Sequence, residues 1–388
     1  MRDSIRLGRI AGVKVGLNWS LPVLAVLLGA GLAGTTLPSN APGSSSWAYG
    51  VAGSLTAVAF IAAILAHELG HAVVARRQGS AVDGITLWAL GGLTRIDGEA
   101  RSPAAEFRIS GIGPLVSFAL GLGLGAVGLA LGALGWSPLV AAAFDWLGAI
   151  NLILAVFNVL PGAPLDGGRL LHAALWRHHG DKLRATETVS RIGWVLGLAL
   201  VALGLVGFAL SGFGGLWLAL VGWFLMTASR AERSQARLLH GLQDLRAVDL
   251  MSADPVRSPG WVTVQAFMDD YALAPHPTAF PLEAWSGGLS GLVDVNQLRS
   301  VPPAERRIRR VVDVAWPLAS VAVVRPDQPA TEVAKLMAQS PAGRALVIDG
   351  DRLLGIISAS DLTSRRRPDW HGDAGGRGDR PANRVATS

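Results

Sequence analysis

The residues best suited to chemistry stand together in one stretch, His67-Glu68-Leu69-Gly70-His71. This H-E-x-x-H spacing on a helix puts two imidazoles one turn apart on one face. Both can reach a single Zn²⁺, and Glu68 lies close enough to take a proton from a water on that metal. The stretch sits inside an apolar run, where an ionisable residue is expensive and is a functional candidate by default. The chain has no cysteine. That excludes disulfides, iron–sulfur clusters and thiolate zinc sites, so a transition metal must rest on His and carboxylate.

A catalytic zinc takes a third protein ligand and keeps one position for water. The extension common in soluble enzymes, H-x-x-G-x-x-H, fails here, because Val74 and Arg77 occupy the Gly and His places. Glu99 and Glu106 follow in a charged loop and at a helix start. Asp166 is the better candidate, in Asn158-Val159-Leu160-Pro161-Gly162-Ala163-Pro164-Leu165-Asp166-Gly167-Gly168-Arg169. Its prolines and glycines break the helix and open the backbone, which at membrane depth is tolerated only where it lines a cavity. An Asp-Gly turn at the interface is the plainer reading of Asp166. A helix–helix hydrogen bond is the plainer reading of Asn158.

The elements that must position these residues read as membrane helices. Of 388 residues, 51% are hydrophobic and only 16% charged, and mean hydropathy is +0.40, which excludes a wholly soluble globular enzyme. Six runs are long or apolar enough to span about 30 Å of hydrocarbon, near 17–37, 48–75, 107–134, 139–160, 189–210 and 214–228. Arg2, Arg6, Arg9 and Lys14 precede the first, which reads as an uncleaved helix rather than a signal peptide. Basic residues fall in alternate loops, such as Arg76, Arg77, Arg95, Arg101 and Arg108, then Arg169, Arg177, Lys182 and Arg184, then Arg230 and Arg233. By the positive-inside rule both termini are cytoplasmic and the chemistry opens to that side. The same placement explains the net charge of +6 without nucleic acid. Near-exclusive use of Arg over Lys hints at a bacterial source. His172, His178 and His179 read as solvated residues of an inner loop.

The two motifs together resemble the site-2 protease family, the intramembrane zinc metalloproteases of peptidase family M50. Leu87-Trp88-Ala89-Leu90-Gly91-Gly92-Leu93-Thr94 looks like that family's membrane-associated β-hairpin. Gly113-Pro114-Leu115-Val116-Ser117 resembles its third-span motif, with Ser117 in place of the common Asn and so with no catalytic role assigned. The resemblance implies a multi-pass protein of the bacterial plasma (inner) membrane. It implies one zinc per chain held by His67, His71 and Asp166, Glu68 as general base, and Asn158 orienting or polarising the scissile peptide. It implies a substrate that is a single-span membrane protein, for example an anti-sigma factor. A transmembrane peptide must unwind before attack, and pairing with the edge of the 82–96 hairpin would present it as a strand.

Beyond Arg230 the chain becomes hydrophilic, with 19 Lys/Arg and 18 Asp/Glu in 158 residues. A linker helix is expected over 231–245, then two similar units over 246–303 and 308–365, then a disordered tail over 366–388. The second unit ends in Gly355-Ile356-Ile357-Ser358-Ala359-Ser360-Asp361, which closely resembles the end of a CBS domain. The first is degenerate, with Asp294 and Gln297 at the places of Ser358 and Asp361. The resemblance implies an α/β tandem CBS module, an adenine nucleotide met by Ser358 and Asp361, and a homodimer through these domains. The expected fold class is therefore membrane α-helical: six transmembrane helices and a β-hairpin in residues 1–230, then a cytosolic CBS pair. A rival reading is a CBS-gated transporter or channel with an ion site at His67, His71 and Asp166. It would need polar residues continuing across the bilayer, and the constellation lies on one side.

Overall fold

The computed structural model describes residues 5–89, 91–97, 100–212, 214–271 and 278–363. The tail expected over 366–388, and Glu99, lie outside the described residues. Contacts divide the chain into two compact units, Met1–Ala236 and Arg237–Ser388.

The first unit opens with a hairpin, β1 (Ile5–Ile10) and β2 (Val13–Leu17). Its two-residue turn is Ala11-Gly12, both at positive φ, the conformation whose twist matches antiparallel strands. Helix α1 (Ser20–Gly31) runs through a π-turn into α2 (Leu37–Asn40). Ser45 caps α3 (Ser46–Arg77), which carries the H-E-x-x-H motif. Strands β3 (Ala81–Trp88) and β4 (Gly91–Asp97) follow. Then come α4 (Pro103–Ala133), capped by Ser102, and α5 (Pro138–Val159). Helix α6 (Asp166–His179) ends at left-handed Gly180, Asp181 caps α7 (Lys182–Ser211), and α8 spans Gly214–Gly241.

Among the described residues, five helical segments are long and apolar enough to cross a membrane: Ser20–Asn40, Ser46–Arg77, Pro103–Ala133, Pro138–Val159 and Lys182–Leu210. The sixth expected span, 214–228, is the apolar first half of α8. That helix runs on without a break through Arg230, Glu232 and Arg233, so the expected linker helix is largely its continuation. The helices are inverted relative to soluble ones. On α4 most buried positions are small, among them Gly113, Ser117, Gly121 and Gly128, while Leu115, Leu122 and Leu129 are exposed at seven-residue spacing. Small faces let backbones approach closely in lipid. A Cβ added at Gly148 of α5 would stand 2.7 Å from the Gly125 Cα of α4.

Strands β3 and β4, over the stretch where a hairpin is expected, are half of a four-stranded sheet. The strand order is β1-β2-β3-β4, with β2 parallel to β3 and the other pairs antiparallel. Val13, Val15, Ile85 and Leu87 bury its inner face against Leu21 and Ala72. Arg76 at the end of α3 donates to the Ala11 carbonyl at 2.9 Å, which ties the β1–β2 turn to the metal-motif helix. Strand β4 is the outer strand on the other side.

The second unit is two copies of one pattern. The first copy has α9 (Ala247–Leu250), β5 (Ser252–Ala253), β6 (Ser258–Pro259), α10 (Val264–Tyr271), β7 (Ala279–Glu283), β8 (Leu289–Asp294) and α11 (Val295–Ser300). The second has α12 (Val311–Val314), β9 (Trp316–Pro317), β10 (Ala322–Val324), α13 (Ala330–Gln339), β11 (Ala345–Asp349), β12 (Arg352–Ile357) and α14 (Ala359–Thr363). Each copy lends its first strand to the other's sheet: the orders are β6-β7-β8-β9 and β10-β11-β12-β5. Each sheet is therefore complete only when both copies are present. Leu292 of the first copy and Leu346 of the second share one buried cluster.

Candidate metal centre

The end of α5 and the start of α6 bring Asp166 to α3. Backbone in between is held by its neighbours: the Ala163 N–H donates to the Val189 carbonyl, and the Ser229 hydroxyl of α8 donates to the Ala163 carbonyl at 2.6 Å. Gly167 and Gly168 make the turn feasible, since a Cβ at Gly167 would lie 2.1 Å from the Val159 oxygen and one at Gly168 2.6 Å from the Gly162 oxygen. Asp166 thereby becomes the first residue of α6 and faces both histidines.

Three donor atoms converge. His67 Nε2 lies 3.1 Å from His71 Nε2 and 3.1 Å from Asp166 Oδ2, and His71 Nε2 lies 3.2 Å from the same oxygen. Ligands about 2.0–2.1 Å from a tetrahedral zinc stand about 3.3 Å apart, close to this spacing. Both imidazoles are buried, at 5% and 8% exposure.

Helix α4 sets which nitrogens face inward. The Ile109 carbonyl, an acceptor only, lies 2.6 Å from His71 Nδ1, so that nitrogen carries the proton and Nε2 presents a lone pair. His67 Nδ1 lies 2.9 Å from the Ser117 hydroxyl. A metal-ligating histidine is normally fixed in this way through its other nitrogen. Gly113 clears the space between: a Cβ there would lie 2.2 Å from His71 Nε2 and 2.6 Å from His67 Nε2. A carboxylate oxygen and a neutral imidazole lone pair at this distance repel unless a cation lies between them. The donor set, its spacing and the glycine cradle fit a divalent transition metal such as zinc.

Glu68 sits one residue from His67, and its carboxylate accepts a hydrogen bond from Thr94 of β4. Asn158 lies in the last turn of α5, half-buried. No hydrogen bond among the described residues ties its amide to the three donors. Ser117 and Ile109, by contrast, touch the cluster directly. The sequence signal for them was the glycine at 113 one turn before Ser117, on an α4 face of small residues.

His172 is bonded rather than merely solvated. Its Nδ1 lies 2.9 Å from Glu106 of α4, and its Nε2 3.1 Å from Thr186 of α7. Burial alone would lower this imidazole, but the Glu106 carboxylate holds it above the ordinary histidine value. Burial also pushes Glu232 of α8 above the usual carboxylate range, against the opposing pull of Arg169 and His172. His178 and His179 close α6.

In the second unit, Asp361 accepts from the Ser358 N–H and hydroxyl at 2.8 and 2.6 Å, which caps α14. At the corresponding place in the first copy, Asp294 pairs with Arg344, whose guanidinium also donates to Thr278.

Comparison with known proteins places this architecture. The profile described as Peptidase family M50 matches residues 55–143 and 132–200, and the CBS domain profile matches 311–367. The chain is 44% identical over 364 residues to Rip3 of Mycobacterium tuberculosis, assigned by name as a zinc metalloprotease; the match covers 93% of this chain and 92% of that one. It is 28% identical over 363 residues to a zinc metalloprotease of Methanocaldococcus jannaschii, covering 93% and 96%. A solved site-2 protease from Methanocaldococcus jannaschii aligns at 27% identity with a TM-score of 0.41, covering 59% of this chain and 94% of that one. The chain is a multi-pass membrane protein with a CBS domain, and it belongs to peptidase family M50.

Proposed function

We propose that the protein is an intramembrane zinc metalloendopeptidase that hydrolyses a peptide bond in or near the transmembrane helix of another membrane protein. The observation that carries this reading is the convergence of His67 Nε2, His71 Nε2 and Asp166 Oδ2 beside Glu68, in a chain of this family. His67, His71 and Asp166 would hold one zinc, which when bound polarises the peptide carbonyl and acidifies water. Glu68 accepts the proton of the attacking water and returns it to the leaving amine. Asn158 would orient the substrate carbonyl from the end of α5. The outer edge of β4 would receive the unwound substrate as an added strand.

In this reading residues 1–230, with six spans, form the protease domain and 246–365 the CBS pair. The centre opens toward the cytoplasm of a bacterial cell, with both termini on that side. The substrate is a single-span protein such as an anti-sigma factor. Ser358 and Asp361 would meet an adenine nucleotide, and the CBS domains would pair two chains. Family membership and inward-facing Nε2 atoms weigh against the transporter reading.

The test measures zinc content and cleavage of a reporter transmembrane helix in parallel. Wild type should hold about one zinc and cut, Glu68→Gln should keep zinc and lose cleavage, and Asp166→Ala should lose both. Undiminished cleavage by Glu68→Gln, or wild type without zinc, removes the proposal.

A further inference from the structure

Strand β4 does more than border the site. Successive residues on a strand alternate faces, so Gly92 and Thr94 share one face and Leu93 takes the other. The Gly92–Thr94 face lies against Glu68: Thr94 Oγ1 donates to Glu68 Oε2 at 2.6 Å. A Cβ built on Gly92 would stand 2.2 Å from Glu68 Cγ and 2.7 Å from its Oε1. Leu93, on the opposite face, is 47% exposed. Register anchors the pair, since Gly92 opposes Leu87 and Thr94 opposes Ile85, and both partners are buried in the sheet core.

We infer that Thr94 is a positioning residue for the general base, holding Glu68 Oε2 so that Oε1 is the oxygen left to take the proton, with Gly92 giving the carboxylate the room to lie there. Thr94 supplies the one hydrogen bond to this carboxylate among the described residues. A glutamate has three side-chain torsions, and a base works only within hydrogen-bond reach of the proton it takes. One strong hydrogen bond to a single oxygen fixes the carboxylate plane and gives the two oxygens different tasks. The inference rests on Glu68 being the base of the proposed peptidase. It adds that β4, the strand offered to substrate, also sets the geometry of that base.

The test compares Thr94→Val, which keeps shape and strand preference without the hydroxyl, with Thr94→Ser, which keeps the hydroxyl. Each is assayed for reporter cleavage, zinc content and thermal midpoint beside wild type and Glu68→Gln. Thr94→Val should lower kcat by about 10-fold or more, part of the 10²- to 10⁴-fold that a positioned base contributes, with KM and zinc content unchanged. Thr94→Ser should stay within about threefold of wild type. Equal losses in both variants would show that keeping the hydroxyl does not keep activity and would assign the effect to disturbed packing of β4, wild-type kcat in Thr94→Val would show the hydroxyl to be idle, and a rise in KM alone would make Thr94 a substrate contact. Any of these overturns the inference while leaving the peptidase intact. Loss of zinc from Thr94→Val overturns it too. Equal cleavage by Glu68→Gln and wild type instead removes the peptidase reading, and this inference with it.

Discussion

The centre depends on residues that hold no metal. His71 can offer Nε2 because its Nδ1 proton goes to the Ile109 carbonyl, and the two imidazoles can meet because position 113 has no side chain. Gly113→Ala should therefore abolish zinc retention, measured as metal per chain after dialysis against chelator, because the 2.2 Å gap to His71 Nε2 leaves no room for a methyl. Ser117→Ala should be milder, weakening zinc about 10- to 100-fold through loss of the partner on His67 Nδ1. Full occupancy in both variants would mean that α4 does not orient the ligands. The H-E-x-x-H spacing was legible because it is local, two residues one turn apart. Asp166 was reachable because its glycines and prolines stood out against an apolar background. The stretches holding Gly113, Ser117 and Thr94 stood out by resemblance, but what these residues touch was not legible, because each acts through the packing of another element on α3.

At the scale of elements, the strands at 5–17 show how an apolar segment can be misread. Arg6, Arg9 and Lys14 read as the basic flank of a span, yet Val13, Val15 and Leu17 alternate with Lys14 and Gly16, the period of a half-buried strand. The partner β3 is some 70 residues away, so the full sheet is not a local property. The polar cluster joining α4, α6, α7 and α8 was equally hidden, since Glu106, Arg169, His172, Thr186 and Glu232 are far apart in the chain. It makes a prediction about pH. His172 titrates above its unfolded value in the folded protein, so its contribution is fully present below about pH 6.5 and is lost as pH rises through the folded value. Glu232, also raised, acts in the same direction, because its buried carboxyl must ionise as pH climbs. The thermal midpoint in detergent should fall between pH 6 and 9, and His172→Gln should flatten that slope. An unchanged slope in His172→Gln would exclude this histidine as its source.

The whole molecule joins two units with separate cores, and their chemistry is separable by design of the test. The first contains all three candidate metal donors and Glu68. The second is held by exchange of strands between its copies and by an ion pair across them: Arg344, just before β11, reaches Asp294 at the end of β8 and Thr278 just before β7. The copies share a backbone cap here, the Asp294 N–H donating to Gln297 and the Ser358 N–H to Asp361, but differ in side chain: the Asp294 carboxylate pairs with Arg344, whereas the Ser358 hydroxyl donates to Asp361. Asp294 and Arg344 are both largely buried. Removing one partner of such a pair leaves an uncompensated charge and costs about 3–5 kcal/mol. Arg344→Ala should therefore lower the unfolding transition of the second unit markedly while zinc per chain stays at the wild-type value, and Asp166→Ala should do the reverse. Arg344→Ala with an unshifted transition would show that strand exchange alone holds the copies together. Loss of zinc in Arg344→Ala would mean that the fold of the second unit is needed for metal retention by the first, so that the two units are not independent.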